Sequence, residues 1–362
     1  MVLRCLVYLI MLSNIVLVSA VFARTEHLNL YVWEGYAPDQ QVKKFQSLIK
    51  EKYNINLRMN IHYIKDVHDF FHVLRRKQAD IISPSHNLLK DERFRLIDTG
   101  LVLPLDLNNI PHYTQLLPHL KKAKFKEKEG KIYTIPFIQG TYSLIYNTAV
   151  FTTPPKTWKV LWEPAYQNNY ALSEDYYETN IYITALALGY SKKDLGNYKK
   201  LNNNLFKEKL RQLAKNTRNF WQGVDTVDDI KGLALATSWG FSLSALEKQG
   251  EIWKRAEPKE GAAAWVDSFS LGYRLADKPL LKKIAEEWIN YSLSAKYQYE
   301  VVVKNLHAYP VNAQVKQYLS AEEIAHYHLD DNAFFDKKWV LWPTLSKRNR
   351  NAIKSLWNKA RK

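Results

Sequence analysis

A chain of 362 residues that sets 52 lysines and arginines against 36 aspartates and glutamates carries a formal charge of +16, yet 46% of it is hydrophobic. That share excludes a disordered polyelectrolyte, and the length allows two cores at ~100–200 residues per domain. The single cysteine, Cys5, excludes a disulfide framework.

Residues 1–23 carry one positive charge at Arg4, an apolar run from Cys5 to Val18 broken by Ser13 and Asn14, and small residues at Ser19, Ala20 and Ala23. This is the pattern of a secretory signal peptide cleaved after Ala20 or Ala23. The competing reading, a membrane anchor, needs about 20 apolar residues, more than the run supplies. The mature chain is thus expected in the periplasm, without thiol chemistry. Its charge would ordinarily suggest nucleic acid, but no reading motif is present and no nucleic-acid partner is expected. Lysines and arginines are dense only at 121–131 and 347–362. The first run reads as a solvated loop or helix face. The second reads as an amphipathic helix with Ile353, Leu356, Trp357 and Ala360 inward.

In chain order, Leu28 to Trp33 alternates as a strand, Pro38 to Lys50 reads as a helix, and Ile55 to Ile61 alternates again. Val67 to Lys77 is helical, Asp80 to Ser83 is a short buried strand, and Pro84 to Asn87 is a turn. Ile132 to Asn147 reads as a strand pair interrupted at Pro136. Tyr170 to Ser173 is a strand, and the acids at 175 and 178 open a helix running through Ala187. Leu233 to Trp239 and Trp265 to Tyr273 are strands, followed by helices Pro279 to Leu293 and Ser294 to Lys304. The β-α-β order predicts mostly parallel sheets flanked by helices, with ligands outside the carboxyl ends of strands.

Four stretches near such ends are chemically suggestive: Trp33-Glu34-Gly35-Tyr36, Asp175-Tyr176-Tyr177-Glu178, Ser238-Trp239-Gly240-Phe241 and Trp265-Val266-Asp267. Aromatic faces attract an ammonium through the ring quadrupole, and carboxylates supply charge-assisted hydrogen bonds. The bland alternatives stand beside this reading. A strand-end tryptophan often belongs to the core, and Asp175 with Glu178 suits a helix N-terminus through the dipole alone. Trp158 and Trp162 read as core. His62, His68, His72 and His86 lack a metal-ligand spacing, and neither metal nor cofactor is expected. A nucleophile elbow, a phosphate-binding glycine loop and a metalloprotease helix are all missing from the sequence, so no enzyme is expected.

Taken in order, Leu30 to Tyr36, Asp80 to Ser85, Tyr133 to Phe137 with Gly140, and Thr157 to Trp162 resemble the polyamine-binding proteins of bacterial ATP-binding-cassette uptake systems. So do Ser173 to Asp175 with Glu178, Trp239, Glu260-Gly261, Trp265 to Ser268, and Ala308 to Asn312. The resemblance implies a two-lobed α/β fold of the type II periplasmic binding protein class with two crossover hinge strands. Lobe 1 would comprise residues 24–137 plus 266–310, and lobe 2 residues 138–265 plus 311–362. It further implies that a polyamine of the spermidine, putrescine or norspermidine class lies between Trp33, Tyr36, Ser85, Asp175, Glu178, Trp239, Trp265, Asp267 and Tyr309. Asn87, Gln139 and Val340 depart from the pattern and leave the polyamine's identity open. The implied partner of a monomeric receptor is an inner-membrane permease. The alternative is a polyamine sensor that docks on a membrane signalling protein, for example a cyclic-di-GMP enzyme.

Overall fold

The structure, a computed structural model, describes residues 24–362; the expected signal peptide lies outside them. Strand Thr25–Val32 buries Leu28, Leu30 and Val32 completely. It runs parallel to Asn56–Tyr63 on one side and to Ile81–Ile82 on the other. Between the first two, helix Asp39–Tyr53 turns Val42, Phe45 and Ile49 inward and ends at Asn54, whose left-handed φ of 53° stops it. Helix Val67–Arg75 is opened by a reciprocal capping box between Asp66 and Asp69.

These strands continue through Ala262–Gly272 to Trp339–Leu341, and Val102–Leu103 and Ile135–Thr141 also pair with Ala262–Gly272, making a seven-stranded sheet. A second, five-stranded sheet follows the order Asn219–Trp221, Tyr170–Ser173, Leu235–Ser238, Ser143–Asn147, Trp253–Arg255. Its first three strands are parallel and its last two pair antiparallel. Each sheet anchors one lobe.

Strand Ala262–Gly272 decides where the site falls. Its first half pairs with Trp339–Leu341 and with residues 138–141, and its second half enters the first sheet beside Ile81–Ile82. The register slips by a bulge between Asp267 and Ser268, opposite residues 136–138. Pro136 therefore lies inside a strand, whereas the sequence suggested a break there. Its missing N–H costs little next to a bulge, where the ladder is already interrupted. The two strands of the expected pair are instead separated at Tyr142.

Further corrections concern the charged runs and the helix after 294. Lys126 is buried, its ammonium bonded to the carbonyls of Lys121 and Ala123 at the end of helix Pro118–Lys122. Desolvation pulls its pKa down. After Ala295–Tyr297 the chain becomes π-helical over Gln298–Asn305, with the buried Gln298 amide bonded to Phe137 O and Ser292 O, both at 3.0 Å. The terminal helix Lys347–Ala360 does bury Ile353, Leu356, Trp357 and Ala360, against helices Tyr177–Ala187 and Asn204–Asn216.

Candidate functional site

The bulge brings Asp267 to a junction of three chain segments. Its Oδ2 accepts the Tyr36 hydroxyl at 2.6 Å and its Oδ1 the Ser85 hydroxyl at 2.5 Å. Tyr36 arrives by a turn through Gly35, whose φ of +83° disfavours any other residue and where a β-carbon would come within 2.8 Å of the Leu306 side chain. The 84–86 turn is laced to the same strand: His86 N donates to Val266 O at 2.7 Å and Ser268 N to Pro84 O at 3.0 Å. Asp267 is only 6% exposed. Burial lifts its carboxyl from 3.8 to about 6, while the bonds from Ser85 and Tyr36 pull the other way. Burial and the adjacent carboxylate hold the Tyr36 hydroxyl far above its usual range, so it stays a donor.

Beside this carboxylate stands a cluster of rings centred on Trp239. Tyr176 meets it edge-on at 4.9 Å, Trp342 lies at 5.7 Å, Tyr142 at 5.2 Å and Trp265 at 6.4 Å. Tyr176 lies within the electrostatic reach of Asp267, which together with burial pushes its hydroxyl up to about 12. Trp239 is fixed from behind by Asp225, whose carboxylate accepts Trp239 N at 2.8 Å, Ser238 Oγ at 2.6 Å and Ser242 Oγ at 2.5 Å. Trp265 stacks over Gly140, where a β-carbon would come within 2.6 Å of the indole. Gly140→Ala should therefore displace Trp265 and cost ~1–3 kcal/mol of stability by overpacking, read as a lowered unfolding midpoint together with a changed tryptophan fluorescence spectrum.

Tyr36, Ser85, Trp239, Trp265 and Asp267 thus converge, and the other expected residues have different surroundings. Trp33 packs edge-on against Phe70 at 5.5 Å, and its backbone N–H donates to Ser83 Oγ at 3.1 Å. Asp175 is exposed and accepts Gly223 N at 2.8 Å. Glu178 accepts Arg350 Nη1 at 2.7 Å. Tyr309 joins a separate aromatic group with Trp339 at 4.9 Å and Tyr327 at 5.4 Å. Gln139 is buried between His119 Nε2, at 2.8 Å, and Pro310 O. Val340 is buried in strand Trp339–Leu341, paired with Ala263, and Asn87 is half-buried.

Sequence reasoning missed Tyr176 as a wall, Trp342, Asp225 and His86. His86 is buried, bonds Trp342 O through Nε2 at 2.9 Å and receives Val266 N at Nδ1. That pattern keeps Nε2 protonated and the ring neutral, and burial lowers its pKa to about 4. Among the other histidines, His62 stacks on Tyr31 and His68 bonds Asp66. No helix among the described residues is long and apolar enough to cross a membrane.

Comparison with known proteins gives the family and the fold. The sequence profile described as "Bacterial extracellular solute-binding protein" matches residues 76–338. Spermidine/putrescine-binding periplasmic protein 1 of Haemophilus influenzae is 22% identical over 288 residues, 74% of each chain. The spermidine/putrescine-binding periplasmic protein of Salmonella typhimurium is 25% identical over 254 residues, 67% of each chain. In three dimensions, the spermidine/putrescine ABC transporter substrate-binding protein of Streptococcus pneumoniae superposes with a TM-score of 0.74 at 18% identity, covering 93% of this chain and 100% of that one. The fold is that of a type II periplasmic binding protein, and the chain belongs to the bacterial extracellular solute-binding proteins, a family of binding proteins rather than enzymes.

Proposed function

We propose that this protein is the exported binding component of an uptake system for a polyamine of the spermidine/putrescine class, and that it holds the ligand between its lobes for an inner-membrane permease. The observation that carries this reading is Asp267: a buried carboxylate braced by Tyr36 and Ser85 and adjoining the rings of Tyr176, Trp239 and Trp265. A terminal ammonium meeting Asp267 would offset the desolvation that lifts its carboxyl to about 6. Methylenes laid on the rings would contribute roughly 25 cal/mol per Å² of buried apolar area. The names of the curated relatives support the same ligand class.

Closure follows from population shift, because Asp267 and Tyr36 belong to the first lobe's segments and Trp239 and Tyr176 to the second's. Calorimetry with putrescine, cadaverine, spermidine and norspermidine tests the reading. At least one should bind at a single site with micromolar affinity or better, about −8 kcal/mol. Failure of all four at millimolar concentration would remove it. Co-purification with a signalling enzyme in place of a permease would assign the sensor role instead.

A further inference from the structure

We propose that Arg350 occupies, as a built-in cation, the position beside Glu178 that a ligand's second ammonium would otherwise take, so that the site reads one ammonium through Asp267 alone. The inference rests on the amine-binding reading and deepens it by assigning the ligand's charge pattern.

The carboxylates of the expected site and its surroundings differ in their partners. Asp175 points to solvent and accepts a backbone N–H from Gly223. Asp225 is saturated by two hydroxyls and the Trp239 N–H. Asp267 meets only hydroxyl donors, from Tyr36 and Ser85, and thus keeps its negative charge uncompensated by any cation. Glu178, half-buried at the start of helix Tyr177–Ala187, is by contrast already neutralised by a cation: Arg350 donates Nη1 to it at 2.7 Å. The same guanidinium donates Nη2 to Asp91 of the first lobe at 2.6 Å.

Arg350 therefore bridges the lobes with a single positive charge shared between two carboxylates. Its side chain is 12% exposed, and Asp91 is doubly held, by Arg350 and by Arg93 at 2.9 Å. A second crossing lies beside it, where Lys347 N at the start of the terminal helix donates to Glu92 at 2.9 Å. A planar guanidinium is weakly hydrated and pre-organised for two carboxylates, so a flexible ammonium does not readily displace it.

Putrescine and 1-aminopentane are near-isosteres that differ by one ammonium, and their affinity ratio measured by calorimetry tests the proposal. In the unaltered protein the two should bind within about tenfold of each other. Arg350→Met should raise the ratio in favour of putrescine by roughly tenfold or more, since each tenfold corresponds to ~1.4 kcal/mol and freeing Glu178 supplies an unpaired carboxylate. Any loss of lobe closure affects both amines and cancels in the ratio. Glu178→Gln, which leaves Arg350 its Asp91 partner, should change putrescine affinity less than about threefold alone and erase the gain when combined with Arg350→Met. An unchanged ratio in Arg350→Met, or a loss in Glu178→Gln as large as that of an Asp267 substitution, overturns the inference while leaving an amine site in place. Absence of binding by either amine to both proteins removes the amine site and the inference together.

Discussion

Asp267→Asn should abolish most amine binding while leaving the protein folded and, at neutral pH, at least as stable as before. The binding loss follows from stripping an enclosed ammonium of its charged partner, ~2–5 kcal/mol for a buried pair. The stability follows from the sign of the pKa displacement. Asp267 rises from 3.8 to about 6 because burial outweighs its two hydroxyl bonds. The native state therefore binds more protons than the unfolded chain between those values, and stability falls as pH rises through this window. Above about pH 6 the ionised carboxylate costs the ligand-free protein roughly 3 kcal/mol, a penalty that asparagine lacks. Denaturant melts of the two proteins at pH 5 and pH 7.5 should show their difference narrowing at the lower pH.

Binding has the opposite slope. An ammonium requires the ionised carboxylate, so affinity should weaken by up to tenfold per pH unit once pH drops below about 6. In Asp267→Asn this dependence should disappear. Unchanged affinity in calorimetry would place the ligand elsewhere.

The sequence was most informative where chemistry is local. Strand Tyr170–Ser173 and helix Pro279–Leu293 match the expected bounds because a short apolar run, proline at the first helical position and a serine after the last turn are nearest-neighbour signals. The inward stripe of the terminal helix was legible for the same reason. The convergence of Tyr36, Ser85 and Asp267 depends on segments as far as 231 residues apart, and only their ordered likeness to a family pointed to it. What stayed hidden was pairing. Nothing near Glu178 in the chain announces Arg350, and nothing near Trp239 announces Asp225, since a buried ion pair or carboxylate network is set by topology rather than periodicity. Pro136 misled because a proline's meaning depends on whether its partner strand bulges, which is a property of the other strand.

Asp225→Ala is expected to impair folding and binding together. Its carboxylate is 3% exposed and accepts three donors within the Ser238–Ser242 turn and its flanks. Alanine leaves two hydroxyls and the Trp239 N–H without that acceptor, in a turn whose Gly240 has a φ of +96° and lies against the Arg255 guanidinium. That guanidinium also holds Trp239 O at 3.0 Å and His307 O at 3.1 Å, so the turn has little freedom to rotate toward other acceptors. Removing a buried, hydrogen-bonded carboxylate whose donors stay behind costs about 3 kcal/mol or more. Trp239 then loses its backbone anchor, and the rings of Tyr176, Trp265 and Trp342 lose their common centre. Chemical denaturation should show a lowered midpoint, and polyamine affinity should fall even under conditions where the variant is fully folded. Asp225→Asn, which retains two acceptor lone pairs on one oxygen, should recover part of the stability and less of the binding. Equal affinity for Asp225→Ala and the unaltered protein would mean that Trp239 is held by packing alone and that the hydrogen-bonded turn does not position the site.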